Sequence, residues 1–189
     1  DKYTVKYHLE QFEGISAALE GYTKNCVISF LDLYQKVKRN FPEVKMVSKE
    51  QRKYLGQRMT RIATEHKMIL RPCGEGTELA AFGADCKGCM TQQIYENAIH
   101  MSLDMPKKQS LRKECACYLE NDIGAYNSCP HMCKYCYANY DEKSVRLNRI
   151  NHNPKSAFLI GDDMPNDKVH KAVQKSWING QISLNGFFI

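Results

Sequence analysis

Apolar residues at Val5, Leu9, Phe12, Ile15 and Leu19 recur every three to four positions with polar residues between them, and Gly21 follows. That spacing lays one apolar stripe along a helix, and a glycine just beyond the stripe is a common C-terminal stop. CVISFLDL, from Cys26 to Leu33, is then almost unbroken in its apolar character and rich in β-branched residues. It predicts a strand buried on both faces, as in a parallel sheet. Ser48, with Gln51 three residues later, forms a capping box that opens a second helix, whose inner stripe is Leu55, Met59, Ile62 and His66. KMILR, Lys67 to Arg71, predicts a second strand stopped by Pro72. Thr91 to Met101 predicts a third helix with Ile94, Ala98 and Ile99 facing inward.

Helices alternating with strands are the mark of an α/β fold with a parallel sheet. The distance from Val27 to Met68 is one βα repeat. Two repeats are too few to close a barrel and enough to form part of one. The expected fold is α/β: a partial (β/α) barrel-like parallel sheet over residues 1–104, then a cysteine-rich, loop-rich C-terminal cap over 105–189. The sequence enters its first helical pattern almost at once after Asp1. It therefore reads as a piece of something longer, with an N-terminal portion of the barrel missing. From Met105 onward clean periodicity is lost and turn residues multiply, so that segment needs something other than a core to order it. The apolar AFLIG, Ala157 to Gly161, leads to a last expected helix over Pro165–Ile178, with Val169, Val173 and Trp177 on one side.

Composition changes the picture at the cysteines. A chain of 189 residues, 43% hydrophobic, can bury a core without staples, so its nine cysteines are not required as a disulfide scaffold. No apolar run approaches the roughly 20 residues that span a bilayer, and no signal-peptide pattern opens the sequence. A reducing cytoplasm is the expected location, where clustered thiols more often bind metal than each other. The net charge of +6 permits an anionic partner, but Lys and Arg are scattered without a basic block, which suits a solvated surface.

Cys129, Cys133 and Cys136 are spaced CxxxCxxC within CPHMCKYCYANY. The last two fall on one side of a helical turn, so three thiolates can converge on one soft centre. Thiolate sulfur favours zinc or an iron–sulfur cluster over magnesium or calcium. With an aromatic before the third cysteine, this run resembles the cluster loop of radical S-adenosylmethionine enzymes. The resemblance implies that Cys129, Cys133 and Cys136 hold a [4Fe-4S] cluster whose fourth iron chelates S-adenosylmethionine, with Tyr135 against the adenine. Cleavage to a deoxyadenosyl radical then needs a reductant such as flavodoxin or ferredoxin, and acts on a substrate, small or macromolecular, that the sequence does not identify.

The wider context, CAC, DIGAYNSCPHMCKYCYAN and HNPKSAFLIG, resembles a bacterial and archaeal domain-of-unknown-function family with a radical-SAM-like cysteine cluster near its C-terminus. Two features depart from typical radical enzymes. The cluster loop follows the βα repeats instead of the first strand, and the Gly-Gly-Glu that often holds the cofactor's amino group is absent; Gly74-Glu75-Gly76 is not that motif.

Of the other six cysteines, Cys26 lies inside an apolar strand and reads as a small core residue. Cys73 falls just past a strand, where α/β sheets place functional groups. Cys86 and Cys89 form CxxC, and Cys115 and Cys117 form CxC. These five can supply four ligands to a second centre or remain reduced thiols. The family resemblance implies Cys73, Cys89, Cys115 and Cys117, with Cys86 spare; their spacing does not distinguish an iron–sulfur cluster from zinc.

Two readings compete with the radical enzyme. In a zinc-stabilised binding module, Cys115-x-Cys117 and Cys133-x-x-Cys136 close a structural ribbon, leaving Cys129 and Tyr135 without a role. In an electron-transfer or structural iron–sulfur protein, no iron is open. Asp32, near the expected end of the first strand, is either a catalytic group or a strand-end charge. His131 either tunes or ligates the centre or, as the simpler reading, hydrogen-bonds within the loop, and Asp122, Tyr126 and Asn127 position the loop through side-chain-to-backbone bonds. Tyr135, Tyr137 and Tyr140 can stack on bases, yet without a basic stripe nucleic acid ranks low among the partners.

Overall fold

The computed structural model describes residues 3–106, 115, 117–118, 124–168, 170–171, 173 and 175–180. The chain forms two compact units. One comprises Asp1–Phe30, Val47–Glu120 and Lys175–Ile189, the other Leu31–Met46 and Asn121–Gln174.

The first unit is a mixed α/β structure. Helix α1 spans Val5–Leu19, opened by Thr4, whose hydroxyl accepts from the Tyr7 N–H at 3.1 Å. Strand β1 covers Asn25–Ile28. Helix α3 covers Lys49–Glu65 and carries the capping box, with the Ser48 and Gln51 backbone N–H groups each donating to the other's side chain at 3.2 Å. (The short helix α2, Gln35–Asn40, belongs to the second unit.) Strand β2 covers Ile69–Pro72 and runs parallel to β1, with Asn25 opposite Ile69 and Ile28 opposite Pro72. Sheet, α1 and α3 enclose a core of Ala63, Met68, Leu70, Leu79 and Ala84, with Phe12, Ile28, Met59 and Phe82 packed against it. A 3-10 helix, Glu78–Phe82, ends at Gly83 in the left-handed region (φ 94°). The Asp85 N–H then donates to the Leu70 carbonyl at 2.9 Å, returning the chain to β2.

The parallel α/β arrangement agrees with the periodicity. Only two strands pair among the described residues, and they form an open sheet. The first strand is shorter than Cys26–Leu33 and is not buried on both faces: Val27 is 51% exposed. It stops because the Phe30 N–H leaves the ladder for the Glu75 carboxylate, at 2.6 Å. The α1 stripe is also displaced. Ile15 and Leu19 are exposed, whereas Ser16 is buried, since its small side chain lets α1 approach α3 closely. His66 is not part of an apolar stripe. It caps α3 with its ring between Glu20 and Glu13, 3.0 Å from each.

Helix α4, Gln92–Ile99, is capped by Thr91. Ala98 and Ile99 are exposed instead of inward, because polar groups turn the other face toward the chain: Gln92 donates to the Leu103 carbonyl and Glu96 accepts from the Leu103 N–H. The helix expected over Pro165–Ile178 does not form among its described residues, and Val169 lies outside them. Val173 is 95% exposed, so the apolar spacing has no partner to bury against. Ile178 instead makes an antiparallel bridge to Leu103, and the Asp104 N–H donates to the Trp177 carbonyl.

The second unit contains helix α2, Gln35–Asn40, with Val37 fully buried, and helix α5, Glu142–Ile150, with Val145 buried. Asp141 caps α5 by accepting from the Ser144 N–H at 2.8 Å. Among the described residues, no helix is long and apolar enough to cross a membrane.

Candidate metal centre

The C-terminal end of β2 turns through Cys73, Gly74, Glu75 and Gly76. Both glycines have φ 70°, a region a Cβ disfavours, so the reversal is glycine-dependent. Glu75 pins this turn: besides the Phe30 N–H, its carboxylate takes the Arg52 guanidinium at 3.2 Å. Arg71 is 8% exposed and fixes the next turn. Its Nε donates to Asn25 Oδ1 at 2.8 Å, and its Nη1 reaches the Gly88 carbonyl at 3.2 Å and Asp85 Oδ2 at 2.7 Å. The Tyr118 N–H donates to the Met90 carbonyl at 2.8 Å, and the Tyr95 hydroxyl donates to the Tyr118 carbonyl. These bonds seat Cys117 beside Cys89.

The result is a small cavity of about 10 Å³ lined by Cys73, Cys86, Cys89, Cys115 and Cys117 together with Glu75. Cys115 and Cys117 are buried, and the Cys89 and Cys117 sulfurs are 3.1 Å apart. Burial pushes the Cys89 thiol up to about 12, and hydrogen bonds with Cys117 and Cys73 add to the shift. For Cys117 burial also opposes ionisation, but hydrogen bonds from the Cys89 thiol, the Cys89 and Met90 N–H groups and Cys115 outweigh it, and its pKa is lowered. Among the described residues, no three His, Cys, Asp or Glu side chains already stand at metal-ligand geometry. Cys86 is set apart within this group: it packs against the apolar core, and burial raises its pKa. Cys26 is half-buried, with its pKa raised by burial, and it is not among the residues that form or pack against the apolar core.

Cys129, Cys133 and Cys136 lie in the second unit on a loop closed by polar side chains. Cys129 and Cys133 are exposed and Cys136 is half-buried. The Cys136 N–H donates to the Cys133 carbonyl at 2.9 Å, which forms the turn carrying the last two thiols. Asn139 is 5% exposed; its Nδ2 donates to the Cys129 carbonyl at 2.6 Å, and its Oδ1 is buried without a hydrogen-bond partner. Asn127, in the left-handed region (φ 57°), accepts from the Tyr140 and Asp141 N–H groups through its side chain. Its own N–H donates to the Ala138 carbonyl, and Asn148 donates to its carbonyl. Ring contacts add to the closure: Tyr34 meets Tyr137, Tyr126 meets Tyr140, and Lys36 Nζ lies over the Tyr140 ring at 4.6 Å. The three thiols are therefore held on one clamped loop, with sulfur donors suited to a soft metal.

Tyr135 is 58% exposed and His131 is exposed on the same loop. Asp32 is exposed, and β1 ends at Ile28, so Asp32 does not sit at a strand end. Asp122 lies outside the described residues. Two structural contributors, Glu75 and Arg71, were not legible, and a third, Asn139, was. Glu75 acts on Phe30, 45 residues away, so no local pattern announces it. Arg71 looked like the polar end of a strand. Asn139 carried a signal in its position three residues after Cys136, where a short amide can return to the loop backbone.

Among the described residues, which include all nine cysteines, no disulfide forms. No curated protein and no solved structure matches the chain. Residues 1–138, a span that contains every cysteine, match the family model described as Domain of unknown function (DUF1848), and the chain belongs to that family.

Proposed function

We propose that this chain is an iron–sulfur protein of the radical S-adenosylmethionine type. Cys129, Cys133 and Cys136 ligate three irons of a [4Fe-4S] cluster, and Tyr135 lies against the adenine of S-adenosylmethionine. Cys73, Cys89, Cys115 and Cys117 form a second metal centre, iron–sulfur or zinc. A donor such as flavodoxin or ferredoxin supplies electrons, and the substrate is a small molecule or a macromolecule. The parallel β1–β2 pair is part of a larger (β/α) barrel-like sheet, and the protein works in the cytoplasm, where its nine thiols stay reduced.

One observation carries the reading: three thiols project from a single loop whose backbone is clamped by Asn127 and Asn139, and none of the three belongs to the apolar core. The exposed thiols of Cys129 and Cys133 have no packing role, Cys136 is half-buried beside them, and three soft donors leave a fourth position for another ligand. The buried, unpartnered Asn139 Oδ1 is a polar group whose cost a bound group nearby would offset. When bound, the cluster supplies one-electron reduction of the sulfonium; the chain orients the nucleotide and limits water.

The test is anaerobic reconstitution followed by S-adenosylmethionine and dithionite. Iron-loaded protein yields deoxyadenosine, and Cys133→Ala loses both that product and the iron of the first cluster. Unchanged iron in Cys133→Ala overturns the ligand assignment. Iron-loaded protein that yields no deoxyadenosine overturns the open-iron chemistry.

A further inference from the structure

The pocket at the end of β2 differs in kind from an exposed loop. Five cysteine thiols line it, yet its free volume is about 10 Å³, comparable with one water-sized sphere of roughly 10–15 Å³. A [4Fe-4S] cube brings four irons and four sulfides with it and needs its cysteine sulfurs spread around that body. A single tetrahedral ion needs far less. With metal–sulfur bonds of about 2.3 Å, the sulfurs of a tetrathiolate site stand about 3.8 Å apart. The Cys89 and Cys117 sulfurs are 3.1 Å apart, so an opening of about 0.7 Å brings them to that edge.

The surroundings are also those of a closed structural site. The Cys89 and Cys117 sulfurs are in direct contact and Cys73 and Cys115 line the same cavity, so four thiols face one small space although no three of them yet stand at metal-ligand geometry. The Cys89 and Met90 N–H groups point at the Cys117 sulfur, an outer-shell arrangement that stabilises a metal-bound thiolate. Cys86 packs on the core and is the thiol left over. Residues 117–118 reach the Met90 carbonyl and the Tyr95 hydroxyl, and a four-ligand ion ties them to β2 and the turn at Cys89.

We infer that Cys73, Cys89, Cys115 and Cys117 bind one zinc ion in a closed tetrahedral tetrathiolate site that fixes the Cys115–Tyr118 segment to the end of the parallel sheet. This rests on reading those four thiols as a second centre, and it is independent of the cluster at Cys129, Cys133 and Cys136. Ion binding displaces the protons of the thiols, and no redox step is involved.

The full chain carrying Cys129→Ala, Cys133→Ala and Cys136→Ala together isolates this site. Its purified form is expected to hold about one zinc per chain and no acid-labile sulfide. Exchange for Co(II) is expected to give the strong ligand-to-metal absorption and visible bands of a tetrahedral thiolate site. Alkylation followed by mass spectrometry is expected to show Cys73, Cys89, Cys115 and Cys117 protected with metal and reactive after chelation. Adding Cys89→Ser and Cys117→Ser removes the ion; if that variant does not fold, the alkylation pattern of the triple variant decides. Iron with sulfide in the triple variant overturns the inference, as does metal-free protein with all four thiols equally reactive. Loss of deoxyadenosine formation in the same variant bears only on the first cluster.

Discussion

Gly56 provides a direct test of how α3 is held against the 3-10 helix that precedes the cysteine turn. A Cβ built at Gly56 would stand 2.4 and 2.5 Å from the two Cδ atoms of Leu79 and 3.0 Å from its Cγ. Leu79 is 4% exposed and packs among Ala63, Met68, Leu70 and Ala84. Its isobutyl group therefore has little room to rotate away. Gly56→Ala sets two terms against each other. The gain in helix propensity is about 1 kcal/mol, and forced overpacking costs about 1–3 kcal/mol. The contacts are with three atoms of one side chain, all at or inside the closest real approach, which places the cost in the upper half of that range. The expected net effect is destabilisation by about 1–2 kcal/mol, or a fall in Tm of roughly 2–8 °C.

Gly14→Ala is the matched control. Gly14 lies in α1 with nothing within 4 Å of its Cβ position, so only the propensity term acts and stability is expected to rise by up to about 1 kcal/mol. Urea unfolding of wild type and both variants, followed by far-UV circular dichroism, measures the difference of roughly 2–3 kcal/mol between them. If Gly56→Ala is as stable as Gly14→Ala, the α3–Leu79 packing described above is wrong.

Two further perturbations probe charge and the cysteine loop. The His66 pKa is raised by its hydrogen bonds to Glu13 and then Glu20, so its stabilising contribution is complete below the ordinary histidine value of about 6.5 and is lost as pH rises through the higher folded value. Wild type should therefore lose stability relative to His66→Gln as pH rises above about 6.5; urea midpoints of the two that stay parallel above that pH refute the raised pKa. Asn139→Ala and Asn139→Asp both remove the Nδ2 donor to the Cys129 carbonyl, and a lost buried hydrogen bond costs about 1–3 kcal/mol. Both should reconstitute less iron than wild type, and iron per chain equal to wild type in Asn139→Ala shows that the clamp does not order the loop.

Local signals located the elements better than their faces. Ser48 and Gln51 are sufficient to open α3, because a capping box satisfies its own backbone within four residues. The inward faces of α1 and α4 depended on partners the sequence does not name: Ser16 against α3, and Glu96 against the Leu103 N–H. β1 was overextended for the same reason, since an apolar run predicts a strand only while its N–H groups stay in the ladder, and Glu75 takes one of them away. Helix α5 was missed although Asp141 and Ser144 form a readable cap, because Leu147 and Ile150 are exposed and leave Val145 as its buried anchor. Among the cysteines, CxxxCxxC was legible as a loop because its spacing is local. The grouping of Cys73 and Cys89 with Cys115 and Cys117 depends on β2, Arg71 and the Tyr118–Met90 bond, none of which spacing expresses.

The two cysteine groups rest on different physics, and this separates what each does without metal. The pocket group stands on the sheet end, where Arg71 and Glu75 are held by several bonds each and Cys115 and Cys117 are already buried. Much of the ordering entropy there is offset by contacts present without any ion, so the zinc inferred above would close a pocket whose walls are already held. None of the loop group's three cysteines belongs to the apolar core cluster, and its described contacts come from Asn127, Asn139 and tyrosine rings. A network of that kind is fully effective only when every member is satisfied, and Asn139 Oδ1 is not. Of the two cysteine groups, the loop is thus the one whose order would depend more on a bound group, which is the property expected if, as proposed, it accepts an exchangeable cofactor.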